Sequence, residues 1–419
     1  MSVIQPFFLR EADAPLLPNG WSYLTTQDAS TPLKPGKLFD KKTSAELGAV
    51  PVLSQGTDHF VGFHDEAPGV QASEQNPVVT FANHTCAIRL MTRPFSCIQN
   101  IFPKMGKPGC VDTRYFYYAV QGRVNLTDYK GHHPLFRQAL IPIPPLETQR
   151  RIASILGAYD DLIEVNRRRV ALLEGMARGL FVEWFVRFRF PGHDAVPIVN
   201  TPDGPLPAGW KQTVVSSAFE LLRGRSYRSV ELADEGGMPF VNLKCLLRDG
   251  GFKASGIKRY IGDYKPGQTV VRGDIVMGVT DMTQERRIVG RVGRIPLLDE
   301  PQAVFSMDLV KVEPAPTVDR TFLYAWLRYS DFGSKAAQHA NGANVLHLSP
   351  KAIVDLPISL PDKALQTKFG LTVEPLIGLA EVVAHTERRL ASARDLLLPR
   401  LISGQLSVAS AERELEDAA

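Results

Sequence analysis

The feature that most restricts this chain is that it contains one pattern twice. Leu17-Pro18-Asn19-Gly20-Trp21 returns 189 residues later as Leu206-Pro207-Ala208-Gly209-Trp210, and each copy opens a long segment of strand-like and turn-like character. Further matches keep their order. Asn76-Pro77-Val78-Val79-Thr80 resembles Gly273-Asp274-Ile275-Val276-Met277, and Phe95-Ser96 resembles Phe305-Ser306. Asp112 to Tyr117 parallels Asp319 to Tyr324, and Ile141-Pro142-Ile143 parallels Leu356-Pro357-Ile358. One short Pro/Gly/aromatic string recurs by chance, but five in one order indicate duplication. Two similar units with separate cores are therefore expected, not one large core.

Within each copy, short Val/Ile/Phe/Tyr-rich runs such as Asp274 to Val279 are broken by Gly, Pro, Asn and Asp. This predicts an α+β chain with two repeated mixed α/β domains, over residues 1–145 and 205–360. Residues 191–204 carry Pro191, Gly192, Pro197, Pro202 and Gly204, a density of breakers that reads as a linker. The end, 409–419, is acidic from Glu412 to Asp417 and is expected to be a loose tail.

Two segments remain, 146–190 and 361–408. Leu146 to Arg189 holds no proline across 44 residues, which predicts one long helix. Ile152, Leu156, Tyr159, Ile163, Val170, Leu173, Ala177, Leu180 and Trp184 recur at steps of four and three, interrupted by Asn166. That is a coiled-coil seam, in which a lone polar residue fixes register, so Asn166 is expected to face a polar partner on a second helix. The second copy has Phe369, Val373, Leu376, Ala380, Val383, Leu390, Leu397 and Leu401 at the same spacing, with Glu387 and Arg394 as exceptions. Pro375 and Pro399 predict a break or kink near each, leaving Leu376 to Leu398 as the continuous helix. Amphipathic helices packed each on its own domain would show the same stripes, but length argues against that. At about 1.5 Å per residue the first helix runs roughly 60 Å, about twice the diameter of a small domain, so its seam needs a partner helix.

The string Ile141-Pro142-Ile143-Pro144-Pro145-Leu146-Glu147-Thr148-Gln149-Arg150-Arg151-Ile152 continues through Asp160-Asp161-Leu162-Ile163-Glu164 and Asn166-Arg167-Arg168 to Leu180-Phe181-Val182-Glu183-Trp184-Phe185. It resembles the central region of type I restriction-modification specificity subunits. Leu396 to Leu406 resembles the C-terminal region of that family, as does Leu348-Ser349-Pro350-Lys351 before the second helix. The resemblance implies two target-recognition domains that each read half of a split double-stranded DNA site, held apart by an antiparallel helix pair. It also implies docking of two methyltransferase subunits, with restriction and motor subunits joining through them. S-adenosylmethionine, ATP and Mg would belong to those partners, not to this chain. The sequence departs from the family where a Glu-Gln pair commonly follows Pro-Pro: here the residues are Glu147-Thr148-Gln149, and the second copy reads Asp362-Lys363-Ala364-Leu365-Gln366.

The residues themselves offer no catalysis. The chain contains neither the Gly-rich cofactor loop and Asn/Asp-Pro-Pro-aromatic motif of an adenine methyltransferase nor a Gly-x4-Gly-Lys-Ser/Thr phosphate loop. His132-His133 is a poor metal pair, since adjacent histidines rarely face one ion, and a solvated loop is expected there. Cys86, Cys97, Cys110 and Cys245 are too few and too irregular for a disulfide framework and read as free thiols. Met1 to Leu17 lacks the basic segment and apolar run of a signal peptide, so a cytoplasmic protein is expected.

Binding a duplex takes Lys and Arg for phosphates and Arg, Asn, Gln, Ser or Thr for base edges. The net charge of +4 decides nothing, but Arg223 to Arg294 holds 14 Lys/Arg against 8 Asp/Glu. That stretch contains the guanidinium cluster Arg223, Arg225, Tyr227 and Arg228, and the mixed loop Thr283, Gln284, Arg286 and Arg287. Asn341 and Asn344 form a third polar loop. In the first domain the candidates are Lys34 and Lys37, with Lys41 and Lys42 nearby, and Asn83, His84 and Thr85, which correspond by position to the Thr280 loop. Two other readings fit the same residues: the specificity subunit of a type IIB-like system, and a helical scaffold whose mixed domains bind protein.

Overall fold

The computed structural model describes residues 8–56, 59–125, 131–202 and 204–416, without the side chains of 414–416. Its α-helices are α1 (Thr113–Val120), α2 (His133–Gln138), α3 (Leu146–Phe181), α4 (Arg320–Tyr329), α5 (Phe332–Gln338), α6 (Lys363–Ile402) and α7 (Val408–Glu416). The chain forms two compact units, one of residues 1–164 with 388–419 and the other of 165–387. Each long helix therefore contributes part of its length to each unit.

In the first unit an antiparallel four-stranded sheet has the order Ser30–Pro32, Ile101–Gly106, Val78–Ala82, Ile88–Met91. Successive side chains of a strand point to opposite faces. Val79 and Phe81 join a core with α1, Ile152, Leu156, Leu398 and Leu401, while Val78 and Ile101 join a separate core with Leu53 and Phe95. The second unit repeats the plan with Phe219–Arg223, Leu309–Pro314, Ile275–Gly278 and Val292–Arg294. Ile275 and Met277 face α4, whereas Val276 and Leu309 face Val241 and Phe305 on the other side.

The duplicated motifs take duplicated geometry. Gly20 and Gly209 both adopt left-handed φ, 80° and 85°, and the Trp21 and Trp210 amides donate to Pro18 O and Pro207 O. Asp112 caps α1 by accepting from Arg114 N and Tyr115 N, and Asp319 caps α4 by accepting from Thr321 N and Phe322 N. Ser96 and Phe305 each lie in a strand that pairs in parallel, the first with Val52 and the second with Val241. One sequence match was out of step. Val78 faces the far core and Ile275 the helices, so the structural counterpart of Ile275 is Val79; a slip of one residue exchanges the two faces of a strand.

The heptad seams are buried or half-buried along their whole length. Ile152, Leu156, Ile163 and Asn166 are buried, Tyr159, Val170, Leu173 and Leu180 are half-buried, and the residues between them are largely exposed. On α6, Leu376, Val383, Leu390 and Leu397 are half-buried. Within the second unit α3 and α6 run antiparallel: Arg167 Nε donates to Glu387 at 2.9 Å, and fourteen residues further on the Phe181 ring meets Phe369, which precedes Glu387. Within the first unit Arg394 Nη1 donates to Asp160 at 2.5 Å. The two charged exceptions to the second seam are thus its cross-helix polar contacts, and at the level of Asn166 that contact is made by its neighbour Arg167.

Three expectations are corrected. Pro375 and Pro399 do not interrupt α6, which runs unbroken from Lys363 to Ile402 because the surrounding contacts outweigh the hydrogen bond that each proline removes. The acidic end is no loose tail up to Glu416: it forms α7, which buries Val408 and Ala411 and receives Arg151 on Glu412 at 2.5 Å. Asp417 to Ala419 lie outside the described residues. The end of the linker is not irregular: Ile198–Thr201 pairs in a hairpin with Gly204–Pro207, which runs on into the segment assigned to the second domain.

Candidate nucleic-acid interface

In the second unit, segments far apart in sequence meet around the turn Ser306 to Asp308. Arg225 N donates to Phe305 O at 2.7 Å and Met307 N donates back to Arg225 O at 2.8 Å, which seats the guanidinium loop on one side. Gly224 permits this approach, since a Cβ there would stand 2.2 Å from Ser306 O. Val279 N donates to Asp308 O at 2.9 Å, and Leu348 N to Val279 O at 2.8 Å. Thr280 and Asp281 then pair with His347 and Leu346, which brings in the Asn341 to Asn344 loop.

The candidate side chains divide by what already holds them. Arg225 Nε donates to Tyr260 Oη at 3.0 Å with Glu231 at 3.8 Å, and the Tyr260 hydrogen bond and nearby acids hold its pKa above the ordinary guanidinium value. Tyr227 packs edge-on against Phe240, ring centres 4.7 Å apart. Thr283 donates through its hydroxyl to Asp281 at 3.0 Å. Burial would raise the Asp281 pKa, but donors from Ile288, Thr283 and Val289 outweigh it, so the carboxylate stays charged and ties the loop down. Gln284 Nε2 donates to Ala343 O at 2.9 Å, joining two of the loops, and Arg286, at φ 56°, reaches Gln338 O at 3.5 Å. Arg287 forks onto Asp249 at 2.5 Å. Asn341 Nδ2 donates to His339 O at 3.2 Å. By contrast Arg228 is 81% exposed, with only Glu231 at 3.8 Å. Among the described residues the exposed Arg223 and Asn344 make no side-chain hydrogen bond or ion pair.

The first unit is less open. Asn83 Oδ1 accepts from His133 N at 2.8 Å, His84 N donates to Gln55 Oε1 at 3.2 Å, and the Thr85 hydroxyl donates to Gln55 O. Lys37 pairs with Glu66 at 2.6 Å and lies over Phe39; Lys34 is exposed. The histidine pair does not occupy a solvated loop: His132 is buried, and the His133 ring stacks on Phe102 at 3.6 Å. Burial, with Lys104 and Arg137 nearby, pushes the His133 pKa down to about 4. Sequence reasoning passed over the Ser306 to Asp308 turn because it holds no cluster of donors; its only signal was the Phe305-Ser306 repeat.

The chain thus consists of two duplicated α+β units, each built on segments of α3 and α6, one of which carries convergent polar loops. Residues 133–174 match the family described as type I restriction modification DNA specificity domain. The chain is 24% identical over 335 residues to the type I restriction enzyme MjaIX specificity subunit of Methanocaldococcus jannaschii, a match covering 74% of this chain and 72% of that one. It is 22% identical to the MjaVIII specificity subunit of the same organism, over 65% of this chain and 64% of the relative. The crystal structure of the type I restriction-modification S subunit from M. genitalium shares the fold, with a TM-score of 0.58 at 16% identity over 93% of this chain and 98% of that one. In sequence and fold the chain is similar to type I restriction-modification specificity subunits. Among the described residues, no helix is long and apolar enough to cross a membrane.

Proposed function

We propose that this chain is the non-catalytic DNA reader of a type I restriction-modification complex. Each unit reads one half of a split duplex target, and the helix pair fixes the gap between the halves. The observation that carries the reading is the convergence, in the second unit, of three polar loops on one turn, with Arg223, Arg228 and Asn344 presented to solvent. Exposed guanidiniums suit phosphates, and amides held in place suit base edges. Along α3 in the second unit Val165, Leu172 and Met176 are exposed by 41%, 68% and 55% and share one helix face, an apolar stripe fit for a methyltransferase subunit. Restriction and motor subunits join through that complex, and S-adenosylmethionine, ATP and Mg act on the partners. The test is duplex binding by the assembled complex over a salt series together with methylome mapping. The reading expects affinity to fall steeply with salt and methylation to mark one bipartite target. Salt-independent binding, or S-adenosylmethionine turnover by the purified chain alone, refutes it.

A further inference from the structure

We propose that Met307 is an apolar base-reading side chain of the second unit, touching the 5-methyl group of a thymine in the major groove. The inference rests on the DNA-reading function proposed above. Met307 lies at the centre of the turn on which the loops converge, and its backbone is fixed from several sides. Its own amide donates to Arg225 O at 2.8 Å, Ser306 N donates to Val241 O at 2.9 Å, Leu309 N to Ser306 O at 3.0 Å, and Val279 N to Asp308 O at 2.9 Å. Gly224 gives up its side chain to allow that seating. Yet the side chain so presented is 55% exposed and belongs to no apolar cluster.

A single exposed methionine is ordinary on a protein surface; what sets Met307 apart is its rigid seating on the turn where the loops meet. Recognition gives that seating a use. The loops around Met307 supply guanidiniums, amides and hydroxyls, which match the donors and acceptors of base edges, while the methyl that marks thymine calls for an apolar contact. An unbranched, polarisable side chain on a rigid turn supplies it. The exposed Arg223 and Arg228, on the loop seated against this turn, favour a polyanion over an apolar protein as the occupant. Met282, 67% exposed in the adjoining loop, is held by no comparable set of backbone bonds and serves as the comparison residue.

The experiment uses the complex assembled with its partner subunits. After the target has been mapped, each thymine of the half-site read by the second unit is replaced in turn by deoxyuridine, which removes only the methyl. One replacement should weaken binding about three- to fivefold, the loss of roughly one buried methyl. In Met307→Ala that sensitivity should vanish, while Met282→Ala keeps it and both variants keep the salt slope of the parent. A half-site with no A·T pair, no effect of any single replacement, or an unchanged effect in Met307→Ala overturns the proposal. So does a Met307→Ala protein that binds DNA normally but no longer assembles with its partners, since the side chain is then a protein contact. A parent complex without salt-dependent duplex binding overturns the DNA-reading function itself, which separates the two failures.

Discussion

Gln149, in the first turn of α3, accepts a hydrogen bond through Oε1 from the backbone amide of Asp112, the N-cap of α1, at 2.8 Å. Its Nε2 donates to Cys110 O at 3.0 Å and Pro144 O at 2.8 Å, so one fully buried carboxamide locks the start of the long helix to the start of the short one. Gln366 does the same in the other unit, accepting from Asp319 N at 3.0 Å and donating to Pro361 O at 2.8 Å. Gln149→Ala or Gln366→Ala leaves buried backbone groups unpaired and should cost about 1–3 kcal/mol each. The two latches share no partner, so the losses should add in the double variant, read by denaturant unfolding.

Glu381 on α6 should be a costly residue to remove. Its side chain, 8% exposed, meets Arg294, 11% exposed, at 3.0 Å and Arg272 at 2.8 Å. Glu381→Ala leaves two guanidiniums beside a vacated carboxylate. The expected loss is about 3 kcal/mol, at the low end for breaking a buried pair because Glu374 still reaches Arg294 at 2.5 Å. Replacing Arg294 and Glu381 together by Met and Leu should restore much of that stability.

The stability of the first unit should depend on pH through His133. Its folded pKa is about 4, below the unfolded value near 6.5, so the unfolded chain takes up the proton first. The sign follows: the contribution is fully present above about 6.5 and is lost as pH falls toward about 4. His133→Phe keeps an aromatic ring on Phe102 and should flatten that part of the unfolding profile. An unchanged slope would place the dependence on another group.

The arginines of the second unit should separate by exposure. Arg228→Ala, at a site 81% exposed, should weaken all duplex sequences alike and reduce the salt slope by about 1, as loss of one phosphate contact does. Arg287→Ala breaks the fork to Asp249 and should lower stability with little change in that slope. Binding titrations at several salt concentrations with parallel unfolding curves distinguish these outcomes.

A heptad inserted after Asn166 and another after Glu387 keep both seams in phase and preserve Arg167–Glu387 and Asp160–Arg394 as pairs. On the proposed reading the doubly extended chain recognises the same half-sites with a gap longer by about 10 Å, close to three base pairs. Exchange of residues 205–355 should change one half-site only. Methylation mapping decides both; an active extended protein with unchanged spacing shows that the helices do not set the gap.

Local patterns carried the parts of this protein that depend on short-range geometry. Heptad spacing marked the faces of α3 and α6 that become buried, and Gly20 and Gly209 repeated with their motif, because helix period and turn strain are settled within a few residues. The tertiary structure decided what depends on contacts between distant residues. Glu387 and Arg394 looked like flaws in a seam until α3 supplied Arg167 and Asp160 as partners. Arg225 and Arg287 looked as available as Arg228 until Tyr260 and Asp249 were found to hold them. Pro375 and Pro399 read as breaks, yet α6 continues through both, because packing along a long helix outweighs one missing hydrogen bond. The Ser306 to Asp308 turn carried no cluster of basic or amide side chains; its place at the centre of the candidate interface comes from backbone hydrogen bonds to residues as far away as Arg225, which no local spacing encodes.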